Sequence, residues 1–322
     1  MQRTENTPLI TFVFFDNAGR LRSGWRFFVF LSTFLLISVF VNPVFGAILE
    51  ALPFGFTPDS LFVRLGGSIL GLVMALGVGW LCGKVLEGLP FRAIGASFSK
   101  PWLKDFVVGN LFGAITMTFA VGTAALLGGL TFRFNNAAGS SAILLTLAVT
   151  LVIFLFGAAF EEALMRGYML QTFMRSNLFV LGLILTSLLF SSGHLFNKNV
   201  AVFSSINTAL AGIWLGIAYF KTRTLWFAFG LHLSWNWVQG SVFGVEVSGF
   251  TNFATAPLMV EIDAGPAFVT GGDYGIEGGA ACTIALLVST AVIWFSPFLR
   301  ASDEMISLTS KPSGNGEENQ AI

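Results

Sequence analysis

Charge is scarce in this chain. Only 11% of its 322 residues are Asp, Glu, Lys or Arg, where a soluble globular domain carries roughly 25%. The 17 basic and 17 acidic residues cancel, and no basic cluster stands out; both facts argue against a nucleic-acid partner. Cysteine occurs twice, as Cys82 and Cys282, far apart and inside apolar segments. That placement reads as two small buried hydrophobes rather than a disulfide or a metal pair. Histidine is equally rare: His194 and His232 are the whole complement, and the zinc-binding pattern HExxH is absent. No internal repeat appears, and no polar stretch is long enough to build a soluble domain.

What remains is apolar. Hydrophobic residues make up 55% of the chain and the mean hydropathy is +0.79, so the expected fold is all-α, a polytopic membrane protein. A transmembrane helix needs about 20 predominantly apolar residues. Eight windows approach that length: 26–48, 61–82, 106–130, 143–161, 178–195, 202–220, 224–243 and 279–299. The first begins after some 25 mixed residues and is long enough to span a bilayer, so it reads as a span and not as a cleavable signal. Small residues such as Gly66, Gly67, Gly71, Gly77 and Gly79 suit close helix packing in lipid. The implied organisation is a tail (1–25), three helices (26–139), a core (140–243), a loop (244–278), a last helix (279–301) and a flexible tail (302–322).

Lys and Arg placement tests the count. With eight spans, fourteen of the seventeen fall on the side of the N-terminus, Arg166 among them. Only Arg133 and Lys198 fall opposite, and Arg64 lies within a span. The positive-inside rule then puts both termini in the cytoplasm of a cell whose plasma or inner membrane holds the protein. The loop 244–278 has five acids (Glu246, Glu261, Asp263, Asp273, Glu277) and no Lys or Arg. It reads as a solvated connector in preference to a cap. KPSGNGEENQ in the C-terminal tail has the composition of disorder.

Against this background the intramembrane polar residues stand out, since an Asp, Lys or Arg at a helix centre costs about 2.5–3.5 kcal/mol on insertion scales. Glu161 and Glu162 close the fourth window, and Arg166 follows Glu162 at i,i+4, on the same helix face. After them the pattern turns amphipathic, suggesting a short helix near the interface. His194 ends the fifth window with Phe190 at i−4, placed to pack beside the imidazole. His232 and Asn236 share a face of the seventh. Ser204, Ser205, Asn207 and Thr208 in the sixth read as polar packing. Singly, each group has a bland explanation: a helix-end ion pair, or a structurally satisfied histidine. Together they incur several desolvation costs at once, which points to joint work.

A carboxylate beside a neutral imidazole can deprotonate a water, and an imidazole with a carboxamide can stabilise an oxyanion. The set is therefore sufficient for amide hydrolysis by activated water. A zinc ion held by Glu161, His194 and His232, with water in the fourth position, is the open alternative. One geometric condition must hold. Spans four and five run antiparallel, so Glu161 and His194 meet only if span four ends inside the membrane or span five is short and set deep.

EExxxR (Glu161, Glu162, Arg166), FxxxH (Phe190, His194) and HxxxN (His232, Asn236), in that order, resemble the CPBP intramembrane proteases. That family includes the CAAX prenyl endopeptidases of the Ras-converting type and bacterial homologues linked to bacteriocin self-immunity. The resemblance covers about 140–243 and implies a four-helix catalytic core around a membrane cavity opening to the cytoplasm. It implies Glu161 as general base with His194 as partner, His232 and Asn236 on the oxyanion side, and Glu162–Arg166 as a supporting pair. The family was named as metalloproteases, which leaves the metal open. The implied partners are a peptide or membrane-protein substrate and the lipid bilayer, without a requirement that the substrate be prenylated. Two other classes compete: a non-catalytic scaffold or immunity factor, and a proton-coupled transporter, which lacks the expected inverted repeats.

Overall fold

The computed structural model describes residues 9–310 apart from 18, 54–55, 58–59, 99 and 251–252. The expected tails 1–8 and 311–322 therefore lie outside the described residues. All eight apolar windows fall on helices. After a short α1 (Leu9–Phe14) come α2 (Ser23–Ala51), α3 (Leu61–Glu87), α4 (Trp102–Gly128) and α5 (Ser140–Glu162). A π-helical segment, Ala163–Met169, carries α5 into α6 (Leu170–Met174). Then follow α7 (Phe179–Gly193), α8 (Val202–Thr222) and α9 (Leu225–Trp237), which runs into a second π-helical segment, Val238–Phe243. The chain closes with α10 (Ala267–Thr270), α11 (Ala280–Phe295) and α12 (Asp303–Thr309).

Five of these are long and apolar enough to cross a membrane: α2, α3, α4, the continuous run Ser140–Met174, and α8. The 15-residue α7 and 16-residue α11 are apolar but shorter; at about 1.5 Å per residue they rise only about 22–24 Å. The eight windows therefore include loop residues, such as 194–195 and 296–299, that are apolar without being helical.

Three further expectations are corrected. The fold is mostly helical, not purely so: β1 (Leu130–Phe134) pairs antiparallel with β2 (Met259–Asp263), in the register Leu130↔Asp263 to Phe134↔Met259. Both strands are rich in β-branched and aromatic residues, which fit a pleated surface. The amphipathic segment after Glu162 does not lie at an interface. It prolongs α5 into the bundle, and Met165 to Met174 are all buried. Its polar residues look outward-facing in the sequence but find partners inside; Gln171, for example, bonds the Tyr219 hydroxyl at 2.5 Å. The start of the C-terminal tail is also ordered. Ser302 caps α12 by accepting from the Met305 N–H, and Met305 and Thr309 are buried.

Small residues permit the tightest crossing, but on α4 and α9 rather than on α3. A Cβ on Gly109 or Gly113 would strike the backbone of Phe227 or Leu231, and one on Gly230 would strike that of Phe106. This is the close approach that a small-xxx-small face allows.

Side-chain contacts define two ends of the bundle. At one, Glu87 bonds Arg26 and Arg175, Arg92 pairs with Glu304 at 2.9 Å, and the Trp226 indole donates to the Ser97 carbonyl. At the other lie the two-stranded sheet and the loop 244–278. There Asn207 donates to the carbonyls of Glu277 and Gly279, both at 2.9 Å. The polar residue read as packing within α8 is thus a clamp on the loop.

Candidate active site

A cavity of about 520 Å³ opens among α3, α5, α7, α8 and α9. Glu161, His194, His232 and Asn236 all line it, with Phe190 between the histidines. The short α7 meets the depth condition. Glu161 precedes the end of α6 by 13 residues, about 20 Å of helix, and His194 follows the start of α7 by 15, about 22 Å. Measured from the same end of the bundle, the two side chains lie at similar depth.

The two adjacent glutamates have different environments. Glu162 is fully buried, and its Oε1 accepts from Arg166 Nη1 and from His232 Nδ1, both at 2.9 Å. Arg166 also donates to the Gly212 carbonyl at 3.0 Å and lies 5.0 Å from the Phe190 ring centroid. The expected Glu162–Arg166 pair is therefore present, deep in the interior and not in a cytoplasmic loop. Glu161 turns toward the cavity with its side chain 32% exposed, and its Oε2 stands 3.6 Å from His232 Nε2.

The imidazole beside Glu161 is thus His232, where the resemblance pairs Glu161 with His194. In the neutral ring, an Nδ1–H donated to the Glu162 carboxylate is the tautomer that turns Nε2 toward Glu161. His194 Nδ1 donates to the Phe190 carbonyl at 2.8 Å, and its ring packs on the Phe190 ring at 4.8 Å between centroids. In the neutral ring this leaves Nε2 as an acceptor. Asn236 sits one turn beyond His232 on the cavity wall. A π-helical segment follows each of the two site-bearing stretches, after Glu162 and after Trp237; such segments often accompany functional sites.

Sequence reasoning missed the outer wall. Val247, Ser248, Phe250, Phe253 and Glu277 of the 244–278 loop line the cavity, and Val245, Tyr274 and Ile276 are buried. The loop is a cap, not a solvated connector. Glu277 fastens it: one oxygen accepts from the Trp235 indole at 3.2 Å, the other from the Ser248 N–H and hydroxyl at 2.6 and 2.9 Å. Arg64 places its guanidinium 4.7 Å from the Phe250 ring centroid and 5.3 Å from that of Phe253. The acids and glycines suggested solvent, but apolar residues between them and one acid facing inward carry the packing.

The donor set does not fit a three-ligand zinc site. Among the described residues no three His, Cys, Asp or Glu side chains are grouped to hold a metal ion.

A multi-pass helical membrane protein with a buried Glu/His cluster facing a cavity is the class these observations define. Residues 142–238 match the family model described as type II CAAX prenyl endopeptidase Rce1-like, so this part of the chain is similar to that family. The match runs from α5 through α9 and contains every residue of the cluster. Neither curated proteins nor solved structures gave a match.

Proposed function

We propose that the chain is an intramembrane endopeptidase that hydrolyses a peptide bond with water activated in this cavity. The observation that carries the reading is the division of labour between neighbouring carboxylates: Glu162 is consumed by Arg166 and His232, while Glu161 faces open space beside an imidazole. The family of residues 142–238 supports the same reaction class.

In the proposed sequence Glu161 takes a proton from a water whose other hydrogen is accepted by His194 Nε2. The resulting hydroxide adds to the peptide carbonyl carbon. The Asn236 amide N–H donates to the oxyanion, a type of contact worth about 10²–10³ in rate elsewhere. The C–N bond breaks as Glu161 returns its proton to the leaving nitrogen. His232, held by Glu162, shares that proton with Glu161 while it is stored. Phe190 walls the site and fixes both imidazoles, and no serine or cysteine nucleophile is required. Eight membrane passes, both termini on the cytoplasmic side and 140–243 as the catalytic core complete the proposal.

The test is a comparison of newly formed protein termini in membranes carrying the wild-type chain or Glu161→Gln at equal abundance. A set of termini present only with the wild type is expected. Identical profiles would leave the scaffold reading as the better one.

A further inference from the structure

We infer that the peptide reaching this cavity comes from the extracytoplasmic side of the membrane; the inference rests on the peptidase reading above and names its substrate class. The two ends of the bundle differ sharply in charge. Arg20, Arg22, Arg26, Lys84, Arg92, Lys100, Lys104, Arg175, Lys221, Arg223 and Arg300 belong to the end where α2 starts and α3 finishes. Contacts tie this end together: Glu87 with Arg26 and Arg175, Arg223 with Thr309, and Lys221 with the Trp294 carbonyl. Among the described residues the opposite end has only Arg133 and Lys198, with Arg64 in the first turn of α3. Basic residues within reach of a membrane face mark that face as cytoplasmic.

The cavity belongs to the other half. Beyond the Glu/His cluster its walls come from the first eight residues of α3 and α8 (Arg64, Ser68, Asn207), from beyond the end of α7 (Asn197), and from the cap (Ser248, Glu277). None of the eleven residues of the basic end lines it. On that basic side the route to Glu161 is filled by the buried Met165–Met174 segment and the Arg26–Glu87–Arg175 cluster. Water and peptide must then approach past the cap. The substrate this geometry favours is a segment exposed on the outer face, either a loop of a membrane protein or a surface-held peptide, and not a cytoplasmic lipidated tail. It departs from the cytoplasmic opening that the family resemblance implies.

Thiol accessibility in the full-length protein reads this without any catalytic turnover. In a Cys82→Ala, Cys282→Ala background, single cysteines are placed at Gly157, at Ser248 and at Ser307. Gly157 lines the cavity one turn before Glu161, and a Cβ there meets no atom within 4 Å. Ser248 lies in the cap, and Ser307 is exposed on α12 at the basic end. A membrane-impermeant, negatively charged thiosulfonate is added to right-side-out or inverted vesicles. Gly157→Cys and Ser248→Cys should react in right-side-out vesicles alone, and Ser307→Cys in inverted vesicles alone. Reaction of Gly157→Cys in inverted vesicles overturns the inference, as does its failure to react in either, or reaction of Ser307→Cys from outside. If the sidedness holds while Glu161→Gln changes no protein termini, the peptidase reading alone has failed. If both hold, the cleavage sites should map to extracytoplasmic segments.

Discussion

Two buried ion clusters lie in this bundle, and they differ in how fully their carboxylates are occupied. In the first, Glu87 is saturated. Its oxygens accept from Arg26 and from Arg175 Nε and Nη2, the latter two at 2.9 and 2.7 Å; Arg175 continues to Gln171, and Arg26 to Ser176. All three charged side chains are at most 4% exposed. In the second, Glu162 takes Arg166 and His232 on one oxygen, while its other oxygen has no hydrogen-bond partner among the described residues. Its neighbour Glu161 is left at the cavity wall. Buried charge is retained in both places because removing one partner leaves the other unpaired. Of the two, the second cluster has beside it a partly exposed carboxylate, Glu161, that lines a cavity of about 520 Å³.

The sharpest way to break this contrast is Glu161→Gln. Loss of the base should reduce cleavage by about two to four orders of magnitude, with the thermal unfolding midpoint in detergent close to wild type. Glu87→Gln should do the reverse. Leaving Arg26 and Arg175 without their carboxylate should destabilise the fold by about 3–5 kcal/mol, read as a lower unfolding midpoint, while cleavage per folded molecule is retained. Glu162→Gln lies between, lowering both quantities, because it releases a buried Arg166 and the His232 tautomer together. Equal effects of Glu87→Gln and Glu161→Gln on cleavage would erase the distinction.

A smaller effect belongs to the α4–α9 crossing that carries His232 and Asn236. Gly113→Val would press on Leu231 and Ser234 and should destabilise by about 1–3 kcal/mol, with cleavage falling in proportion to the folded fraction. A pH-dependent effect is expected in the cap. Burial, with Glu246 and Asp263 nearby, pushes the Glu261 carboxyl up from 4.5 to about 8. An acid with a raised pKa in the fold binds more protons folded than unfolded, so stability should fall as pH rises from about 4.5 to about 8. Glu261→Gln should flatten that part of the unfolding midpoint's pH profile.

The sequence made the chemistry legible where residue type and spacing were sufficient. Glu162 and Arg166 at i,i+4 do pair, Phe190 does pack on His194, and His232 and Asn236 do face one cavity. It failed where partners come from distant segments. Nothing in their spacing marks Arg26, Glu87 and Arg175 as a cluster, and they meet across 61 and 88 residues. Glu277 sat in a loop whose acids and glycines suggested solvent, yet it holds the cap to Trp235.

Composition by itself determined that this chain lives in lipid, because so few charges cannot solubilise it, and its rare polar residues marked the candidate site. Tertiary structure alone decided which imidazole stands beside Glu161 and at what depth. Those depend on where α7 stops and how far α5 continues, and helix length in a bundle is set by packing partners that local sequence does not name. The same packing, through Asn207 and Glu277, turned an acidic connector into the outer wall of the cavity.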